Sequence, residues 1–251
     1  MNKTTVEVLG YNVFKGKLNI IKLLGSKKII NTINPHSYCV ALQDSTFKRA
    51  LKKSDILLPD GIGICFASKF LKGININKIA GADIHEFLLR EIERINGKIF
   101  YLGASEKTLK LITERINIEY PNIKLASYSP PYKSVFSKGD NNMMREKVNL
   151  FSPDVLFVGM TAPKQEKWVY ENKDLLRVNM IASIGAVFDF YAGTIKRPGK
   201  LWIKLGLEWL PRLCKEPRRL WKRNFISTPL FLYYILKEKL NLIINKRCHK
   251  K

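Results

Sequence analysis

A chain of 251 residues with 46% apolar and 26% charged content is long enough to bury a sizeable core and too apolar to be disordered. Its 44 Lys and Arg against 21 Asp and Glu leave a net charge of +23 at neutral pH. Such an excess favours a polyanionic partner: nucleic acid, a phosphorylated ligand or an anionic membrane surface.

The opening segment, MNKTTVEVLG, has no apolar stretch of signal-peptide length. No later run approaches the roughly 18 consecutive apolar residues of a membrane span. The expectation is therefore a cytoplasmic protein, free or attached to a surface. Cys39, Cys65, Cys214 and Cys248 show no C-x-x-C pairing and read as reduced thiols.

From residue 27 onward the pattern alternates. Apolar, strand-like runs occupy 27–34, 55–61, 98–105, 124–129, 154–160 and 180–187. Amphipathic stretches with helical period fall between them, at 82–95, 107–120 and 165–176. This alternation predicts a mostly parallel, Rossmann-like α/β sheet covered by helices on both faces. Ligands of such sheets collect at the carboxyl ends of the strands, so the residues just after each run are the candidates.

Asn34 follows the first run. Asp60 and Gly61, in LLPDGIG, follow the second, where Asp60 is placed to act as a general base or simply to cap a turn. The neighbouring glycines leave room for a ligand against the backbone. Gly103, in the turn Gly103-Ala104-Ser105, can present amides to phosphate. No complete G-x-G-x-x-G or G-x-x-x-x-G-K-[ST] exists, which argues against a conventional dinucleotide enzyme or P-loop NTPase. The segment 129–142, SPPYKSVFSKGDNN, is the longest irregular stretch.

After the fifth run, Thr161-Ala162-Pro163 ends the strand, and Lys164, Gln165 and Glu166 stand where a helix begins. Pro163 suits a first helical position, because its φ is preset and its missing N–H is no loss there. His36, His85 and His249 lack ligand spacing, so no metal is expected. From residue 196 to 251 the composition shifts: 16 Lys or Arg against three acids, interleaved with Trp and Leu at helical spacing. That segment reads as a basic amphipathic appendage, suited to an anionic membrane surface. Arg212, Arg218, Arg219 and Arg223 are either a charged surface or a pyrophosphate-binding set, for which guanidinium forks have the right geometry. A nucleic-acid-binding module is the competing class for such a segment.

The blocks PDGIGI (59–64), AGAD (80–83), TAPKQEKW (161–168), GTIKRPGK (193–200) and LGLEWLPRLCKEPRRLWKR (205–223) occur in an order that resembles the WecG/TagA/CpsF glycosyltransferases. The resemblance covers roughly residues 6–223. It implies an inverting, metal-free enzyme that needs no cofactor and binds no nucleic acid. Such an enzyme moves N-acetylmannosamine or its uronic acid from a UDP-sugar to a polyprenyl-pyrophosphate-linked sugar at the inner membrane face. Wall teichoic acid, capsule and related polysaccharides are the implied products, and another UDP-hexose donor is the alternative within the family.

Residue by residue, the resemblance makes Asp60 the base and sets Gln165 near the nucleotide-sugar, with Arg212, Arg219 and Arg223 in the appendage and Arg218 adjacent. Asn34 matches a polar family position, although PHSY after it departs from the commoner Asn-Ala-Glu. Lys78 stands where the family commonly has Arg, which loses a bidentate fork. The expected organisation is a catalytic domain, 1–195, and an appendage, 196–251, that completes the site and reaches the membrane. The sequence leaves a homo-oligomer open.

Overall fold

The computed structural model describes residues 4–23, 25–195, 199, 202, 213 and 220–248. Arg212, Arg218 and Arg219 lie outside the described residues.

All six apolar runs are strands of one parallel sheet: β3 (Lys28–Ile33), β4 (Ile56–Pro59), β5 (Lys98–Gly103), β6 (Lys124–Tyr128), β7 (Val155–Gly159) and β8 (Met180–Ser183), in the spatial order β4-β3-β8-β7-β5-β6. Every residue of β7 and β8 is buried. That is why they read as continuous apolar runs without alternation. Ahead of the sheet, β1 (Thr5–Val8) and β2 (Tyr11–Phe14) form an antiparallel hairpin that the apolar-run reading does not find. Its inward residues Val6, Val8, Tyr11 and Val13 are buried, alternating with Glu7 and Asn12.

The helices follow in chain order: α1 (Pro35–Gln43), α2 (Ser45–Lys52), α3 (Ile62–Lys72), α4 (Gly81–Arg94), α5 (Glu106–Glu119), α6 (Lys138–Phe151), α7 (Lys164–Asn172), α8 (Val187–Tyr191) and α9 (Thr228–Cys248). Residue parity divides the faces. Ile30, Ala182, Val155 and Phe157 pack with Ile84, Leu88 and Ile112 of α4 and α5. Ile29, Ile181, Leu156 and Val158 pack with Met144 and Val148 of α6 and Trp168 and Val169 of α7.

Part of the expected irregular segment is helical. Ser137 and Asp140 form a reciprocal capping box that starts α6 at Lys138, and the irregular stretch shortens accordingly.

The chain leaves β5 toward β6 and leaves β7 toward β8, in opposite directions along the sheet. A crevice therefore opens between the carboxyl ends of β5 and β7. Gly103 at that point has φ +119, and a Cβ there would stand 2.3 Å from the Gly159 carbonyl oxygen. Only glycine lets the two strand ends close to this distance. The Ala104 N–H then donates to the same oxygen at 3.0 Å.

After the undescribed stretch, a π-helical turn at Lys222–Ser227 leads into α9. Phe231 and Ile235 of α9 are buried in one cluster with Tyr38 of α1, Ile64 and Ala67 of α3 and the hairpin. Lys239 Nζ donates to the Phe70 carbonyl at 2.8 Å. A second side of α9 stays exposed and is also apolar: Leu232, Tyr233, Leu236, Leu240, Ile243 and Ile244. No described helix is long and apolar enough to cross a membrane.

Candidate active site at the carboxyl end of the sheet

The sheet brings the ends of β3 and β4 side by side. The Asp60 N–H donates to the Ile33 carbonyl at 2.9 Å, so Asp60 and Asn34 emerge from adjacent strands. Asn34 is occupied locally: its Oδ1 accepts the Ser37 N–H at 3.0 Å, and its own N–H donates to Ser37 Oγ at 2.8 Å, capping α1. Gly61, with φ +104, turns the chain from β4 into α3, and nothing lies within 4 Å of where a Cβ would stand. Burial pushes the Cys65 thiol up, with Lys78 opposing and Asp60 adding to the shift.

The π-helical turn docks on the start of α1. His36 Nδ1 meets Ser227 Oγ at 2.8 Å, and Cys39 Sγ reaches the Ser227 carbonyl at 3.3 Å. Burial, with the Arg223 guanidinium adding, lowers the His36 pKa. The turn that includes Arg223 is thus held at the start of α1, the helix that Asn34 caps.

The PKQE segment divides its labour. Lys164 faces outward, its Nζ 3.7 Å from the Phe136 ring centroid and bonded to the Lys133 carbonyl, which ties the 129–137 loop to α7. Gln165 and Glu166 turn inward, 5% and 3% exposed. Gln165 Oε1 accepts the N–H groups of Met160, at 3.2 Å, and Gly185, at 3.1 Å, while its Nε2 donates to Glu166 Oε1 at 2.8 Å. Pro163 takes the capping position rather than the first helical one, and its peptide bond with Ala162 is cis.

Gly103 lies at the β5–β7 crevice itself, across the sheet from Asp60. AGAD is a helix start, in which Asp83 Oδ2 accepts the Ala80 N–H at 2.8 Å. His85 is buried, and its Nε2 meets the Tyr101 hydroxyl at 2.6 Å. Among the described residues no group of three His, Cys, Asp or Glu side chains is arranged to hold a metal ion.

Two polar residues inside apolar strands escaped the sequence reading, Asn31 and Ser183, because a buried strand tolerates an occasional polar side chain. Both are 1% exposed, and Asn31 Oδ1 and Ser183 Oγ have no hydrogen-bond partner among the described residues. Their signal was the polar letter itself within KIINTI and MIAS.

The model of the "Glycosyl transferase WecG/TagA/CpsF family" matches residues 6–244, a span that includes every strand of the sheet and most of α9. The chain belongs to this family. It is a glycosyltransferase. A Bacillus subtilis (strain 168) protein named N-acetylglucosaminyldiphosphoundecaprenol N-acetyl-beta-D-mannosaminyltransferase is 33% identical over 213 residues, 85% of this chain and 80% of that one. Proteins of the same name from Bacillus spizizenii (strain ATCC 23059 / NRRL B-14472 / W23) and Staphylococcus aureus (strain MW2) are 30% and 27% identical, each over 84% of this chain. They are covered over 79% and 80% of their own lengths. The match extends past the appendage blocks into α9, the helix that carries the docked π-turn.

Proposed function

We propose that the chain transfers N-acetylmannosamine, with inversion, from a UDP-sugar to an N-acetylglucosamine carried on a polyprenyl diphosphate. The observation that supports this reading is the docking of the Lys222–Ser227 turn beside Asn34 and Asp60, which follow two adjacent strands, in a chain whose relatives bear that transferase's name.

Asp60 takes the proton of the acceptor hydroxyl as its oxygen attacks the anomeric carbon of the donor. The bond from that carbon to the UDP oxygen breaks, and UDP leaves with the bonding electrons. Its growing negative charge needs cations, which Arg212, Arg218, Arg219 and Arg223 supply from the appendage. Gly61 and Gly103 leave the backbone open to the ligands. Gln165, with Glu166 behind it, shapes the floor of the crevice, and Lys164 holds the adjoining loop. Residues 1–195 form the catalytic unit and 196–251 the appendage.

The lipid acceptor requires the enzyme to work at a bilayer surface. The exposed apolar side of α9, set in a basic segment, supports peripheral attachment to an anionic inner leaflet, where each Lys or Arg contributes about 1 kcal/mol.

The test is incubation with a panel of UDP-sugars and a short-chain lipid-diphosphate-N-acetylglucosamine, with product mass as the readout. A product one N-acetylhexosamine heavier, formed from UDP-N-acetylmannosamine alone, is expected. Transfer from another donor overturns the donor assignment, and no transfer from any donor overturns the reaction.

A further inference from the structure

Two donors, the Gln165 amide and its own backbone N–H, and no cation stand at the Glu166 carboxyl among the described residues. It is 3% exposed, Gln165 Nε2 reaches its Oε1 at 2.8 Å, and its Oε2 has no partner. The charged groups on the elements around it are turned elsewhere. Lys167 of α7 pairs with Asp44 at the head of α2 at 2.9 Å, and Lys164 sits on Phe136. Lys48 and Arg49 of α2 are exposed, and Arg145 of α6 bonds to Asn142 and Asn172. Lys27 caps the carbonyls of Lys173 and Leu176 at the far end of α7. On the same sheet face, β3 and β8 carry Asn31 and Ser183, which have no charge.

The register sets Asn31 and Ser183 side by side. Ile30 of β3 pairs with Ala182 of β8, so Asn31 and Ser183 are the next neighbours along those strands. They share the face of Ile29 and Ile181, which packs under Val169 of α7. Gln165 Oε1 accepts the Gly185 N–H, two residues past Ser183, so the first turn of α7 stands at the carboxyl end of β8. Among the described residues, three buried polar atoms without partners belong to elements of this sheet face: Glu166 Oε2 of α7, Asn31 Oδ1 of β3 and Ser183 Oγ of β8. An ionised carboxylate there would be an uncompensated buried charge, which is far costlier than a buried acid. A neutral acid avoids that charge and keeps an acceptor oxygen for the Gln165 amide.

We propose that Glu166 is a positioning residue that works as its neutral carboxylic acid, fixing the Gln165 amide so that Gln165 holds the ends of β7 and β8 at the crevice. The chain of contacts runs from Glu166 Oε1 to Gln165 Nε2, and from Gln165 Oε1 to the amides of Met160 and Gly185. The carboxyl determines which way the Gln165 amide points, because only the Nε2 side can donate to Oε1. Burial, the largest influence on Glu166, raises its pKa to about 7, in keeping with a proton held near neutrality. The functional consequence rests on the crevice being the donor site, whereas the arrangement itself does not.

Three measurements on the full chain test this. The infrared carbonyl band of a protonated carboxyl should be present in the wild type at pH 6, fade as the pH rises through about 7, and be missing in Glu166→Gln. Amide exchange at Met160 and Gly185 should quicken about tenfold in Glu166→Ala, the loss of one hydrogen bond's worth of order, and stay slow in Glu166→Gln, which keeps the acceptor oxygen. The KM for the UDP-sugar should rise in Glu166→Ala more than kcat falls. Absence of the band at pH 6, or equal exchange in wild type and both variants, overturns the proposal. If Glu166→Ala does not fold, the band and its loss in Glu166→Gln decide alone. If the protein turns over no UDP-sugar, the first two measurements still stand, so that failure is separate from failure of this inference.

Discussion

His36 and Ser227, 191 positions apart in sequence, meet side chain to side chain at 2.8 Å at the head of α1. The contact fixes the C-terminal segment to the end of β3, and α9 then continues into the core: Phe231 is 1% exposed and its ring lies edge-on to Tyr38 with centroids 5.3 Å apart. Phe231→Ala is expected to lower unfolding stability by about 3–5 kcal/mol, the cost of a large aromatic lost from a packed core. Chemical denaturation read by Trp fluorescence measures it. A loss under about 1 kcal/mol would mean that α9 packs only loosely on the sheet domain.

Asp60→Asn keeps the size of the side chain and removes its basicity. Turnover should fall by about 10²–10⁴-fold, the usual contribution of a positioned general base, while calorimetric binding of UDP persists. Near-normal turnover would remove Asp60 as the base.

The Glu166 proton couples folding to pH. The native pKa of about 7 lies above the ordinary 4.5, so the native state holds this proton more tightly than the unfolded chain does. Its contribution to stability is complete below about pH 4.5 and is lost as the pH rises to about 7. Glu166→Gln does not titrate. Its stability relative to the wild type should climb by up to about 3 kcal/mol across that window and then level off. Parallel denaturation midpoints from pH 5 to pH 8 would contradict a protonated native carboxyl.

The exposed side of α9 predicts lipid binding that needs both apolar contact and charge. Leu236→Glu, at a position 56% exposed, should leave folding intact and sharply reduce flotation with anionic liposomes. Raising the salt should weaken the wild type's binding, because the Debye length shrinks from about 10 Å at 0.1 M to about 3 Å at 1 M. Flotation of the variant equal to wild type would move the membrane contact elsewhere.

What could be read from the sequence followed from local physics. The β7 and β8 runs are buried on both faces, so their apolar letters are continuous and their strands legible. Gly103 and Gly61 were marked by their positions after such runs. The hairpin β1–β2 escaped because each strand has only four residues, too short for its alternation to stand out. The Lys138 start of α6 was hidden in a polar stretch whose order comes from the Ser137–Asp140 cap rather than from apolar period.

The site divides in the same way. Sequence and family resemblance placed Asp60 and the PKQE block at strand ends, because chain order alone puts a residue after its strand. Sequence could not decide that Lys164 faces out to Phe136 while Gln165 and Glu166 face in, since those orientations depend on how α7 lies across β3 and β8. Nor could it bring Ser227 to His36. Such a contact spans nearly the whole chain, and it exists only because Phe231 and Ile235 find buried apolar partners on α1 and α3. Local pattern determined the strands and the candidate residues. Packing between distant segments decided which of them share a site, because burial is a property of the assembled surfaces and not of any one stretch.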